Sequence, residues 1–182
     1  MTKYQNTFRI ESARLKERDY SNPWWYYVTI NTKNHAKYFG NVINEKMILD
    51  KLGNIADQSW KDIPTHFKNI ELDYYVIMPN HIHGILILNE CCRDAACNVS
   101  TSNRYSEISP QSNSLSVVIR SFKSAVTKRI HEIGYNSFVW QSRFYDHIIR
   151  NEKELFNIRK YIVQNPLKWD LGKNQTENIS EL

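Results

Sequence analysis

Cysteine is scarce in this sequence and confined to one short stretch. The three cysteines are Cys91, Cys92 and Cys97, an odd number that does not form a disulfide framework. Their C-C-x4-C spacing also lacks the paired C-x2-C arrangement of a zinc knuckle, and no histidine follows nearby. The sequence therefore predicts free thiols.

Long apolar runs are absent as well. The apolar runs have the length of strands and fall well short of the roughly 20 residues of a membrane span. The first residues, MTKYQN, do not form a basic-then-apolar leader,. We expect a cytoplasmic protein without membrane segments. At 182 residues with no obvious linker, the chain predicts a single domain over 1–182,.

Acidic residues are in short supply only in the C-terminal third. The formal net charge is +5, and residues 114–170 account for all of it, with ten Lys and Arg against five Asp and Glu. A basic surplus of this kind fits a polyanionic partner, with nucleic acid as the first candidate. It is also compatible with an ordinary soluble surface.

What is present is an alternation of strand and helix patterns. β-Branched and aromatic runs predict strands, apolar residues at three- and four-residue spacing predict helices, and Pro64 and Pro166 are expected to stop helices. The predicted order is strand 24–32, helix 44–60, strands 70–78 and 81–88 as a hairpin, helix 114–134, strand 138–149 and helix 151–165. We expect an α+β fold, an antiparallel sheet with helices packed on one side. Residues 89–113 are expected to form a long mobile loop, and the C-terminal tail to be mobile.

Two histidines stand at the start of the second strand of the predicted hairpin. Because side chains alternate along a strand, His81 and His83 point to the same side,. Two neutral imidazoles so placed can hold a metal ion, although an isolated His-x-His is more often an ordinary pair of polar strand positions.

The last predicted helix carries a second set of polar residues. Tyr161 and Asn165 are four residues apart and therefore share a helix face at the edge of the apolar stripe,. On their own, a tyrosine there packs its ring, and an asparagine before proline marks a helix end.

Taken together, four segments give the chain a resemblance to a known family. They are 26–30 (YYVTI), 78–83 (MPNHIH), 140–150 (WQSRFYDHIIR) and 161–166 (YIVQNP). In this order they resemble the REP-associated tyrosine transposases, a branch of the single-tyrosine HUH transposases. The resemblance covers nearly the whole chain and implies a ferredoxin-like or RRM-like HUH nuclease architecture.

The resemblance also implies roles for individual residues. His81 and His83 would be metal ligands, Tyr161 the nucleophile, and Asn165 the third protein ligand of Mg²⁺ or Mn²⁺. Gln164 is an alternative third ligand, but it points about a hundred degrees away from Tyr161 around a helix. The implied substrate is single-stranded or hairpin DNA, cleaved and rejoined through a 5′-phosphotyrosine. The implied assembly is a monomer or a homodimer.

Other residues and functions compete with this interpretation. Basic residues on the predicted helix 114–134 and in the following strand are candidate DNA contacts: Arg120, Lys123, Lys128 and Arg143,. Tyr145 is a rival nucleophile, with His147 beside it on the strand. A zinc hydrolase of the metallo-β-lactamase type would need further ligands after His83, where the sequence reads Gly-Ile-Leu. A relative that binds hairpin DNA without cutting it is the second alternative.

Overall fold

The computed structural model describes residues 3–4, 7–8, 23–89 and 114–172. Within them the elements are β1 (Lys3–Tyr4), β2 (Thr7–Phe8), β3 (Trp24–Asn31), β4 (Gly40–Ile43), β5 (Lys46–Leu49), α1 (Lys51–Lys61), α2 (Ile63–His66), β6 (Ile70–Ile77), β7 (His81–Leu88), α3 (Leu115–Glu132), β8 (Tyr145–Ile148) and α4 (Glu152–Asp170). The predicted loop 89–113, except for Asn89, lies outside the described residues, as do the three cysteines and the last ten residues of the tail. In the described part, no helix combines the length and apolarity needed to cross a membrane.

The central element is a four-stranded sheet in the order β6-β7-β3-β8, with every neighbouring pair antiparallel. The sequence of elements β3, α1, β6, β7, α3, β8 gives the split β-α-β-β-α-β pattern of ferredoxin-like folds. The α+β class and the antiparallel sheet predicted from the sequence are thus confirmed.

The helices lie on both faces of this sheet rather than on one side only. Helices α1 and α3 cover one face, where their apolar residues pack with alternate residues of β3 and β7, such as Val28 and Leu86. Helix α4 covers the opposite face, where Ile158 and Ile162 pack with Tyr27 and Ile85. The two-residue period of the strands separates the two cores.

The prediction of one helix over 44–60 is wrong in its first half. Strands β4 and β5 form a hairpin there, and both turn residues, Asn44 and Glu45, have positive φ angles of 49° and 61°. Two consecutive left-handed residues are typical of a tight hairpin turn. Helix α1 begins only after Asp50, whose Oδ1 accepts a hydrogen bond of 2.8 Å from the amide of Gly53. The capping residue is therefore Asp50 rather than Asn44.

Two further boundaries differ from the prediction. Only Tyr145–Ile148 of the predicted strand 138–149 is a strand, joined by a single bridge between Thr32 and Trp140. Between this bridge and β8, the ammonium of Lys123 binds the carbonyl oxygens of Gln141 and Arg143 at 2.6 and 3.2 Å.

Helix α4 does not stop at Pro166 but continues through it to Asp170. A proline inside a helix removes one backbone hydrogen bond and costs about 3 kcal/mol. The last turn offsets this cost by packing, since the ring of Trp169 lies 5.9 Å from the ring of His81. The end of the helix is also tied to the β4–β5 turn, where the Glu45 amide donates to Asp170 Oδ2 at 3.0 Å.

Candidate active site

The two histidines of β7 lie side by side beneath α4, as their spacing predicts. His81 is 9% exposed and His83 5%, and their ring centroids are 4.5 Å apart. They occupy the face of β7 that also carries Ile85, which packs against α4. The intervening Ile82 points to the α1 and α3 side.

Hydrogen bonds fix the orientation of both rings through Nδ1. The Nδ1 of His81 lies 2.6 Å from Asn80 Oδ1, which can only accept, so His81 carries its proton on Nδ1,. The Nδ1 of His83 lies 2.6 Å from the Tyr27 hydroxyl and 2.9 Å from Thr29 Oγ1. With Nδ1 engaged in both rings, Nε2 is the nitrogen available to a ligand.

Burial keeps both imidazoles neutral. Desolvation lowers the pKa of His81 to about 4, a shift that the Asn165 amide partly opposes and the nearby His35 reinforces. Desolvation, together with the neighbouring His81, also holds the pKa of His83 well below its usual value. Neutral imidazoles at pH 7 have the free lone pair that metal coordination requires.

Helix α4 brings Tyr161 and Asn165 to the same place. The Tyr161 ring stands edge-on to His83, with ring centroids 5.3 Å apart at an angle of 71°. Asn165 is 4% exposed, and its side chain acts on the His81 ring as a weak hydrogen-bonding neighbour that raises the pKa of that ring, while its Oδ1 meets no donor at full hydrogen-bond geometry among the described residues. A buried amide oxygen without a partner is unfavourable unless a ligand completes it.

These donors fit a divalent metal ion. Two imidazole nitrogens and one amide oxygen form a mixed set with coordination positions left for substrate and water. Within the described ranges, no group of three or more His, Cys, Asp or Glu side chains could hold a metal ion. No described carboxylate therefore joins the two histidines, and the oxygen of this donor set is the amide oxygen of Asn165.

Several residues of the site escaped sequence reasoning. Tyr27 and Thr29 alternate on β3 and reach His83 because Thr29 is its direct partner in the sheet. Their alternation in the strand was visible, but the register of β3 against β7 was not. The last turn of α4 was missed because Pro166 was expected to end the helix. That turn places the Lys168 ammonium 4.7 Å from the centroid of the Tyr161 ring.

The rival tyrosine lies on the same side of the sheet but farther from the histidines. Tyr145 of β8 pairs with Thr29 of β3, and Thr29 pairs on its other side with His83 of β7. Strand β3 therefore lies between Tyr145 and His83. Tyr145 is 43% exposed, on the edge strand. Beside it, His147 Nε2 makes a hydrogen bond of 2.6 Å with Glu154 Oε1 of α4.

The structure does not bring the four candidate DNA contacts to the histidines. Arg120, Lys123 and Lys128 belong to α3, on the opposite face of the sheet. Lys123 holds backbone carbonyls, and Lys128 pairs with Glu132 at 3.9 Å. Arg143 is exposed in the segment before β8. A role of these residues in DNA binding stays a prediction.

Two proteins of Haemophilus influenzae strain Rd are similar to this chain. One, an uncharacterized protein, is 37% identical over 161 residues, which cover 87% of this chain and 89% of the relative. The other, named "Putative REP-associated tyrosine transposase", is 27% identical over 153 residues, which cover 83% of this chain and 74% of the relative. No model of a protein family matches the chain.

A solved structure shares the fold. It is a REP-associated tyrosine transposase bound to a REP hairpin, with 21% sequence identity and a TM-score of 0.57, covering 88% of this chain and 74% of that one. The two sequence relatives and this shared fold agree with the motifs at 78–83 and 161–166. The chain is therefore similar to REP-associated tyrosine transposases, in sequence to one relative of that name and in fold to a solved member.

Proposed function

We propose that this protein is a metal-dependent single-stranded DNA endonuclease and strand transferase, a transposase that acts at or near hairpin-forming DNA. The observation that carries the proposal is the packing of the His81 and His83 rings against each other and of Tyr161 against His83. The buried Oδ1 of Asn165, which has no hydrogen-bond partner among the described residues, lies on the same helix as Tyr161. Two imidazoles, an amide oxygen and a phenol supply the ligands and the nucleophile that such a reaction needs.

The first three of these side chains would hold Mg²⁺ or Mn²⁺. His81 and His83 would bind through Nε2 and Asn165 through Oδ1. When bound, the ion neutralises charge on a non-bridging oxygen of the scissile phosphate, which otherwise repels nucleophiles. Imidazole ligands favour Mn²⁺ over Mg²⁺.

Tyr161 is the nucleophile of the proposal. Its phenolic oxygen attacks the phosphorus, a bond to the 5′ phosphate forms, and the bond to the 3′ oxygen of the preceding nucleotide breaks. The phenol releases its proton to solvent and the departing 3′ oxygen takes one up, so protons and charge balance. The phosphotyrosine keeps the energy of the broken phosphodiester bond. A second 3′-hydroxyl can therefore reverse the step and join two strands.

Contacts around Tyr161 orient its ring for this attack. His83 meets the ring edge-on, and the Lys168 ammonium lies over its face. A nucleophile held between two fixed groups loses little conformational freedom on the way to the transition state.

The relatives supply the substrate class of the proposal. A family member with the same fold was solved bound to a REP hairpin, and we extend a hairpin with a single-stranded flank to this chain. The proposed compartment is the cytoplasm. The active form is a monomer or a homodimer, which light scattering with and without DNA distinguishes.

Covalent adduct formation tests the proposal. The protein is incubated with end-labelled hairpin oligonucleotides carrying single-stranded flanks, in Mn²⁺, Mg²⁺ or EDTA, and resolved on a denaturing gel. We expect a metal-dependent adduct in the wild type and in Tyr145→Phe, the matched control tyrosine of the same sheet face. Tyr161→Phe should lose the adduct and keep hairpin binding, because only the phenolic oxygen is removed.

Three outcomes would count against parts of the proposal. An adduct that persists in Tyr161→Phe and disappears in Tyr145→Phe would transfer the nucleophile to β8. An adduct that forms equally in EDTA would show that the reaction does not need a metal ion. Tight hairpin binding with bound metal but no adduct would indicate a protein that binds hairpins without cutting them.

A further inference from the structure

The last turn of α4 carries Lys168, which contacts the ring of Tyr161. Lys168 lies seven residues after Tyr161, a spacing that puts both side chains on the same face of the helix. Its ammonium is 4.7 Å from the centroid of the Tyr161 ring. Lys168 is half-buried.

No carboxylate in the described part of the chain forms an ion pair with Lys168. Asp170, the nearest acid along the helix, accepts a hydrogen bond from the Glu45 amide. Among the described residues, the ammonium of Lys168 therefore brings positive charge to the nucleophile with no carboxylate paired to it.

A second cation reinforces this field. The ammonium of Lys37 lies 5.6 Å from the centroid of the Trp169 ring, and Trp169 in turn lies against His81. Lys37 and Lys168 therefore lie at the two ends of a row of side chains in contact. Between them are the rings of Trp169, His81, His83 and Tyr161. Low-dielectric walls with cations of one sign concentrate an anion between them.

The position of Lys168 matches an anion that must lie next to the nucleophile. A phosphorus under attack by Tyr161 has its non-bridging oxygens within a few ångströms of the phenol. A lysine binds phosphate as a point charge with three donors and does not need a fixed angle. The face of a ring does not by itself satisfy three N–H donors, whereas the oxygens of a phosphate can accept from them.

We propose that Lys168 binds the scissile phosphate of the DNA beside Tyr161 and acts as the phosphate anchor of the site. The inference rests on the proposed function and adds one residue to its substrate contacts. Nothing in the family resemblance assigned a role to this lysine.

Salt dependence of DNA binding tests the anchor without catalysis. Binding of a fluorescent hairpin oligonucleotide with a single-stranded flank is measured by anisotropy in EDTA between 50 and 200 mM salt, in a Tyr161→Phe background that cannot form an adduct. Losing one single-strand phosphate contact makes the slope of log K against log salt shallower by about 0.7. Lys168→Met, which keeps the apolar stem, should show this change, and Lys168→Arg should not.

The matched control is Lys160→Met, the same change on an exposed lysine of the same helix. We expect the wild-type slope for this variant. A slope for Lys168→Met equal to that of Lys160→Met would overturn the proposal. Thermal unfolding of each variant is followed by circular dichroism, and Lys168→Gln replaces Lys168→Met if the latter unfolds below the assay temperature.

The rate of adduct formation at saturating DNA gives the second readout, in the otherwise wild-type protein with Mn²⁺. Because the anchor acts on the reacting phosphate, Lys168→Met should slow the adduct about 10-fold or more even when DNA is saturating. A wild-type rate for Lys168→Met would overturn the anchor while the proposed function stands. An absence of adduct in the wild type would instead contradict the proposed function, and the salt slope would still decide whether Lys168 contacts phosphate.

Discussion

At the scale of single residues, Tyr27 constrains the proposed metal ligand His83 more closely than any residue that the sequence singled out. Its hydroxyl lies 2.6 Å from Nδ1, and its ring stacks on the imidazole with an interplanar angle of 19°. Burial raises the pKa of Tyr27 well above its usual value, so the hydroxyl keeps its proton. A buried hydroxyl bound to Nδ1 is suited to fixing the orientation of a metal-binding imidazole.

Tyr27→Phe should therefore weaken metal binding and leave the fold in place. Loss of a hydrogen bond behind a metal-binding histidine typically costs 10- to 100-fold in affinity, and we expect this range for Mn²⁺ measured by isothermal titration calorimetry. Tyr38→Phe is the matched control, since it removes an exposed hydroxyl that donates to the Ser137 carbonyl oxygen at 3.2 Å. Equal Mn²⁺ affinity in both variants would exclude an orienting role for Tyr27.

The buried histidines also predict how stability depends on pH in the metal-free protein. The pKa of His81 is about 4 in the folded state and near 6.5 in an unfolded chain. The unfolded chain thus binds more protons between these values, so this stability is complete above pH 6.5 and is lost as the pH falls toward 4. His83, whose pKa is also lowered, acts in the same direction.

The measurement is urea unfolding in EDTA at pH 6.5 and pH 5. His81 alone should lower the free energy of unfolding by roughly 1.5 kcal/mol over this interval. His81→Gln should reduce the pH dependence by about that amount. An unchanged pH dependence in the variant would show that the His81 ring is not held neutral by burial.

A site residue could be predicted from the sequence where its position depends only on the residues next to it in the chain. The His81–His83 pair could be predicted, since the strand period alone puts both rings on one side. Tyr27 and Thr29 could not, because their contact with His83 depends on the pairing of β3 with β7, which sequence alternation does not specify. The unpartnered Oδ1 of Asn165 is likewise a property of packing.

At the scale of elements, α1 and β7 approach each other closely at Gly84. A Cβ atom placed on Gly84 would lie 2.3 Å from Cζ2 of Trp60, a side chain that is fully buried in α1. Gly84 stands directly after His83, on the opposite face of the strand from the histidines. The glycine therefore lets α1 press against the sheet at the level of the site.

Gly84→Ala should destabilise the protein by about 1 to 3 kcal/mol through overpacking, as measured by urea unfolding. The matched test is the same change in a Trp60→Leu background, where the contact is gone. The two substitutions should then be non-additive, with Gly84→Ala costing less than in the wild type. Strictly additive effects would mean that the close approach at Gly84 does not exist.

The elements that could not be predicted share one cause. The sequence of the β4–β5 hairpin predicts a helix because Met47, Ile48 and Leu52 repeat at helical spacing, whereas the left-handed turn at Asn44 and Glu45 has no glycine to mark it. The end of α4 was misplaced because proline is a local signal, and the packing of Trp169 on His81 is not,. In both places tertiary contacts overrode the local pattern.

At the scale of the whole molecule, the two faces of the sheet differ in character. The α4 face carries the histidines, Tyr161, Asn165 and the charge of Lys168, while the α3 face carries Arg120 and Lys128. The basic surplus of 114–170 thus divides between both sides of the sheet. The fold class could be predicted because the succession of strands and helices along the chain and the hairpin have local signals. The distribution of the basic residues between the two faces of the sheet could not, because it depends on how α4 packs.

The central claim is that Tyr161 carries the 5′ phosphate of cleaved DNA, and mass spectrometry of the covalent adduct tests it most directly. Protein trapped with a hairpin oligonucleotide in Mn²⁺ is digested with nuclease and trypsin, and the peptide that bears the residual nucleotide is sequenced. The account predicts a nucleotide 5′-phosphate on Tyr161 and a released strand that ends in a 3′-hydroxyl. A modified Tyr145 peptide, or a 3′-phosphate linkage to any residue, would contradict it.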